Sequence, residues 1–162
     1  HVLTTAMTDT RLLELLEQDI NTSRQLLKVL EQEFAALNER KLEQLQQLLD
    51  KKQPLLMQLN QNAGTRSTIM RKQGVSADRQ GFEQLAAQSA VGEQLRHNHS
   101  TLNDLIERCQ SANMRNGRLI RANQTSVNSA LNIIRGSGNE PSLYDKSGST
   151  GHKGTQRTFT KA

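Results

Sequence analysis

Apolar residues recur along this chain at alternating spacings of three and four, the period of one face of a helix. The first run reads Leu13, Leu16, Ile20, Leu27, Leu30, Phe34 and Leu37, with Ser23 filling one seam position. Thr8, Asp9 and Thr10 precede it as N-cap residues, whose side-chain oxygens accept from the orphan amides of a first turn. After Leu37 the register slips, and the seam resumes as Leu42, Leu45, Leu49, Lys52, Leu56 and Leu59. One unbroken helix over both runs would be about 80 Å long at 1.5 Å per residue. A tight turn near Asn38, folding the runs into an antiparallel hairpin, is the expected arrangement, although no Gly or Pro marks it. Pro54 falls inside the second run, where it removes a helical hydrogen bond and favours a kink.

Gly64, Gly74 and Gly81 then punctuate a polar stretch carrying Arg66, Arg71, Lys72 and Arg79. The pattern predicts a helix persisting to Lys72, a turn at Gly74–Ser76, and a short helix capped by Ser76 or Asp78. The most regular stripe follows: Leu95, His99, Leu102, Ile106, Cys109, Asn113, Asn116, Ile120, Asn123, Val127, Ala130 and Ile134, with no slip. It is a heptad seam that predicts one long helix ending at Gly136, a fitting C-terminal residue. The expected fold is therefore all-α, an elongated antiparallel bundle of three to four long helices. Its helices cover about 9–37, 39–72, 78–90 and 91–135, in one domain over 1–135. Residues 136–162 are rich in Gly, Ser and Thr and read as a flexible tail.

Composition supports this reading. The 162 residues include 23 Leu against 5 Val and 6 Ile, and aromatics are 2%, which disfavours a β-sandwich or barrel. No apolar run reaches the ~18 residues of a membrane span, so no membrane insertion is expected. His1–Thr10 lacks the basic start and apolar core of a signal peptide. The lone Cys109 precludes an intramolecular disulfide framework. These features fit a cytoplasmic protein.

The net charge is +5, with the acids and bases interspersed. No basic block, zipper-linked basic region or set of stacking aromatics accompanies it, so no nucleic-acid partner is expected. Phosphate-loop, nucleophile-elbow and zinc-protease motifs are absent, and carboxylates sit among Lys and Arg at helical spacing, as on a solvated face. His97 and His99 diverge on a helix, and Cys109 lies about three turns from His99, too far for shared ligation. No enzyme activity, metal or cofactor is expected, and Cys109 reads as a buried structural residue.

Two features ask for another explanation. Asn113, Asn116 and Asn123 occupy seam positions where Leu would be expected, and Gly117 beside Asn116 permits close backbone approach. Buried, paired amides that fix register are one reading. A stretch that outruns the bundle and leaves a groove for a partner helix is another, and loose packing in a marginal bundle is a third. The second feature is Leu143-Tyr144-Asp145. In a polar tail it looks like a short recognition element, unless it packs back on the bundle.

These residues also carry a family likeness. The chain resembles the FlgN family of flagellar type III export chaperones. The matching stretches are LEQLQQLLDKKQPLL, the Asn116-Gly117 pair, the helix end ALNIIRG (Ala130–Gly136) and LYDKSGST (Leu143–Thr150). The resemblance implies a helical cytosolic chaperone that binds the C-terminal helical segments of the hook–filament junction proteins FlgK and FlgL. It also implies delivery of those clients to the cytosolic domain of the export-gate protein FlhA. Client binding would fall in the C-terminal part, on Asn113, Asn116, Gly117, Ile120, Asn123, Val127 and Ile134. Gate docking would fall on Leu143, Tyr144 and Asp145, with Tyr144 the family's tail tyrosine. The alternative is a coiled-coil structural or adaptor protein that self-associates through 91–135.

Overall fold

The computed structural model describes the backbone of residues 2–135 and the side chains of residues 5–122. Four helices follow in order: α1 (Val2–Glu39), α2 (Leu42–Lys72), α3 (Arg79–Gln88) and α4 (Gly92–Arg135). No strand occurs among the described residues. The fold is an elongated all-α bundle. α1 is its axis, with α2 and α4 both packed along it.

Side-chain pairings fix the directions. Asp19 meets Asn62, and Glu33 meets Lys52, so α2 runs antiparallel to α1. Cys109 contacts Ser23 and Asn116 contacts Leu30, both with an offset of 86 residues, so α4 runs parallel to α1. α2 returns the chain to the end where α1 starts, and the short α3 links it there to the beginning of α4. Leu12, Leu16 and Ile20 of α1 pack there with Phe82 and Leu85 of α3 and Leu95 and Leu102 of α4. A second cluster joins all three long helices through Leu26 and Leu30, Leu56 and Leu59, and Cys109 and Ala112. Nearest the α1–α2 turn, Val29, Ala36 and Leu48 join α1 to α2 alone. Each fully buried leucine contributes about 1.5–3 kcal/mol by leaving water.

Several expectations are corrected. α1 begins at Val2 rather than at the Thr8–Thr10 caps. Thr10 instead turns its hydroxyl back to Ala6 O at 2.9 Å, as a mid-helix threonine does. The first turn lies at Arg40 rather than Asn38, and Arg40 takes φ 56°. Its amide donates to Leu37 O and that of Lys41 to Ala36 O, at 3.3 and 2.9 Å. That is the Schellman closure normally built on glycine. Gly74, with φ 79°, closes α2 in the same way, its amide donating to Arg71 O and that of Val75 to Met70 O. The α2 seam also differs: Leu48 is buried, whereas Leu42 and Leu49 are exposed. Only α1 packs against α2 at that end, so the leucines turned toward α1 are the ones covered.

Asp78 caps α3, accepting from the Gly81 amide at 2.9 Å and from Ser76 Oγ at 2.6 Å. These hydrogen bonds hold its carboxyl below the usual range. The crossover is tight. A Cβ on Gly81 would lie 1.7 Å from Ser76 O, and one on Gly92 would lie 2.1 Å from Ala86 O. Phe82 stacks on His99 of α4 with ring centroids 4.1 Å apart.

Candidate partner-binding surface

The seam amides of α4 meet two charged residues of the other helices. Asn116 Nδ2 donates to Leu30 O at 2.8 Å and to Glu33 Oε1 at 2.9 Å. Lys52 Nζ donates to Asn113 Oδ1 at 2.7 Å and lies 3.6 Å from Glu33 Oε1. All four residues are buried. Burial lowers the Lys52 pKa, and the neighbouring Glu33 carboxylate opposes that shift. On the outer side Arg115 donates to Asn116 Oδ1 and Glu31 Oε1, and its guanidinium lies 3.8 Å from the centre of the Phe34 ring. A second buried pairing, Arg66 with Asp19, is supported by Asn62 Nδ2 at 2.8 Å from Asp19 Oδ1. Burial draws the Arg66 guanidinium down to about 10, still cationic at neutral pH.

Asn113, Asn116 and Gly117 therefore face inward. They do not line an open groove, because α1 and α2 already occupy their side of α4. Of the readings the seam left open, paired amides hold at Asn113 and Asn116. Ile120 is half-buried, one heptad beyond Asn113. Asn123, Val127 and Ile134 lie on the α4 backbone, with side chains outside the described residues. Leu143, Tyr144 and Asp145 lie outside the described residues altogether.

The register defines what lies past this polar clamp. The offset of 86 sets Glu39, the last residue of α1, level with Thr125 of α4. α4 continues to Arg135, about 15 Å beyond the end of its neighbour. Among the described residues the α2 and α4 backbones nowhere approach within 8 Å. They touch through side chains, and the described contact nearest the α1–α2 turn is Lys52 with Asn113.

The sequence pattern counted Leu42 and Leu49 as core, yet they stand exposed near this open end. Their spacing of seven from each other and from Leu56 is the signal that places them on one line.

Burial pushes the Cys109 thiol up to about 12, far from a reactive thiolate. Among the described residues no group of three His, Cys, Asp or Glu side chains is placed to hold a metal ion. None of the described helices is long and apolar enough to cross a membrane. A shallow concavity lined by Gln61, Gly64, Thr65, Thr68, Ile69 and Lys72 belongs to the surface of α2 alone.

Comparison with known proteins agrees with this architecture. The family model described as FlgN protein matches residues 7–152. A crystal structure of a flagella synthesis protein FlgN from Pseudomonas aeruginosa is 48% identical, covering 76% of this chain and 95% of that one, with a TM-score of 0.66. No curated protein matches the chain. With a helical bundle, a family match over most of its length and a close structural relative, the chain belongs to the FlgN family of flagellar export chaperones.

Proposed function

We propose that this protein holds the C-terminal helical segments of the hook–filament junction proteins FlgK and FlgL in the cytoplasm. It keeps them from premature assembly and presents them to the cytosolic domain of FlhA. The observation that carries this reading is the length of α4, which outruns α1 and leaves its last turns without an intramolecular neighbour among the described residues. An amphipathic client helix docks on such an edge through its apolar face. Capture falls on α4 beyond the clamp, at Ile120, Asn123, Val127 and Ile134. Asn113, Asn116 and Gly117 set the position of that segment from within the bundle. Leu143, Tyr144 and Asp145 serve gate docking.

Isothermal titration of the full chain against the C-terminal segment of a junction protein tests the reading. The expected result is 1:1 binding in the submicromolar range. Replacing Ile120, Val127 and Ile134 together with Gln should abolish binding while circular dichroism retains the helical signal. Tyr144→Ala should leave client affinity unchanged and weaken retention on the FlhA cytosolic domain. Wild-type chain that takes up no client by titration or co-elution would overturn the reading.

A further inference from the structure

Three leucines stand at heptad spacing on one line of α2, and their surroundings differ. Leu56 is buried against Cys109 and Ala112 of α4. Leu49 is 40% exposed and Leu42 is 76% exposed. Leu45, one turn after Leu42 on the same side, is half-buried at the edge of the Val29, Ala36 and Leu48 cluster. Leu42, Leu45 and Leu49 thus form an apolar patch over the first turns of α2, at the end of the bundle where α4 leaves it.

The register sets what lies within reach of this patch. Lys52 meets Asn113 across antiparallel helices, so Leu42 stands level with Asn123 of α4. Arg135, the end of α4, lies 12 residues further on, about 18 Å along the axis. Of the residues that follow, only Leu143, Tyr144 and Phe159 are large and apolar, and only the first two are adjacent. Leu143 and Tyr144 come eight and nine residues after Arg135. That is about 26–32 Å of extended chain, enough to return 18 Å and cross the roughly 10 Å between neighbouring helices. Gly136, Gly138 and Pro141, which lie between, are residues of chain reversal.

We propose that Leu143 and Tyr144 fold back onto Leu42 and Leu45 at the start of α2, with Leu49 at the edge of the contact. An aromatic ring laid on two leucines removes apolar area from water on both sides. A linker this short confines the partners at an effective concentration in the millimolar range, so a weak contact suffices to close it. The contact stands on its own geometry. Its consequence rests on the docking reading of Leu143, Tyr144 and Asp145: gate affinity is lowered to the fraction of the chain in which the pair is free.

Tyr144 is the only tyrosine of the chain and there is no tryptophan, so tyrosine emission reports on this residue alone. The test is acrylamide quenching of the full chain beside a peptide of residues 136–150. The wild-type chain should be quenched about threefold less steeply than the peptide, as befits a mostly closed contact. Leu42→Gln should raise quenching to the peptide value, and Leu143→Ser should do the same from the other side. Leu42 is exposed, so circular dichroism and the melting midpoint should hold in its variant. Leu42→Gln should also be retained about threefold more tightly on the FlhA cytosolic domain, because the free fraction rises.

Tyr144 as open in the wild-type chain as in the peptide would overturn the contact and leave the docking reading standing. Protection that persists in Leu42→Gln would overturn the site on α2. A freed Tyr144 with unchanged gate retention would keep the contact and overturn its regulatory consequence. Full gate retention by Tyr144→Ala would sink the docking reading and leave the contact intact. Protection that fades on dilution, with a dimer in sedimentation, would give the patch to a second copy and overturn the proposal.

Discussion

Lys52 Nζ and Asn113 Oδ1 meet at 2.7 Å between α2 and α4, and both residues are buried. The amide oxygen takes one ammonium proton, while Glu33 on α1 supplies the countercharge at 3.6 Å. Three helices are thereby tied through one cation. Lys52→Met should destabilise the protein by about 3 kcal/mol, because it leaves the Glu33 carboxylate buried without its cation and Asn113 without its donor. Adding Glu33→Gln should recover more than half of that loss, since the Gln oxygen still accepts from Asn116 with no buried charge. Urea unfolding of the two variants decides this; a double variant as unstable as the single would refute it.

The α1–α2 turn yields a stabilising prediction. Arg40 holds a left-handed conformation that costs an L-residue with a Cβ about 1 kcal/mol or more. Arg40→Gly should raise stability by about 0.5–1 kcal/mol, less whatever backbone freedom glycine adds to the unfolded chain. The Schellman hydrogen bonds should persist. A lower midpoint in thermal unfolding would count against this account.

Two glycines should respond in opposite directions to the same methyl group. A Cβ on Gly64 meets nothing within 4 Å inside α2, so Gly64→Ala should stabilise by about 1 kcal/mol. Gly92→Ala would drive its Cβ into Ala86 O at 2.1 Å and force the α3–α4 junction apart. It should destabilise by about 1–3 kcal/mol, in the range of overpacked sites. Chemical denaturation of the pair, with matched slopes, separates the outcomes.

Stability should also fall on mild acidification. Burial first, then the positive charges of Arg66 and Arg79, lower the His99 pKa from 6.5, and Glu83 only partly offsets them. The folded protein therefore binds fewer protons at this site than the unfolded chain. Its contribution is intact above 6.5 and is lost as pH falls from there through the lowered folded value. Asp78, held below 3.8 by its caps, adds a loss at more acidic pH. His99→Gln should flatten the first phase and leave the second. A melting profile unchanged by the substitution just below pH 6.5 would refute the assignment.

The parts of the fold legible in the sequence were those governed by period. Leu95, Leu102, Cys109 and Asn116 fall on the buried stripe because one helix, α1, covers that face continuously. Asp78 was legible because capping is local. The turn at Arg40 was not, since the residue in the glycine position is an arginine. Asp19 and Glu33 looked like surface acids because their partners, Arg66 and Lys52, lie far along the chain. Leu42 and Leu49 looked like core because period alone does not say where a neighbouring helix stops. The proposed client-binding segment was legible on α4 alone, where amides interrupt the leucine period.

Leucine seams are degenerate: moved by seven residues, leucine meets leucine again, and the oily part of the bundle scarcely registers the error. The clamp breaks that degeneracy. A one-heptad slip of α4 along α1 would separate Asn116 from Leu30 and Glu33 and strand buried groups at about 1–3 kcal/mol each. The same slip would lengthen or shorten the projecting end of α4 by about 10 Å. The polar cluster thus works as a vernier: by admitting a single alignment of three interchangeable greasy ridges, it meters how much of the final helix is offered to the outside.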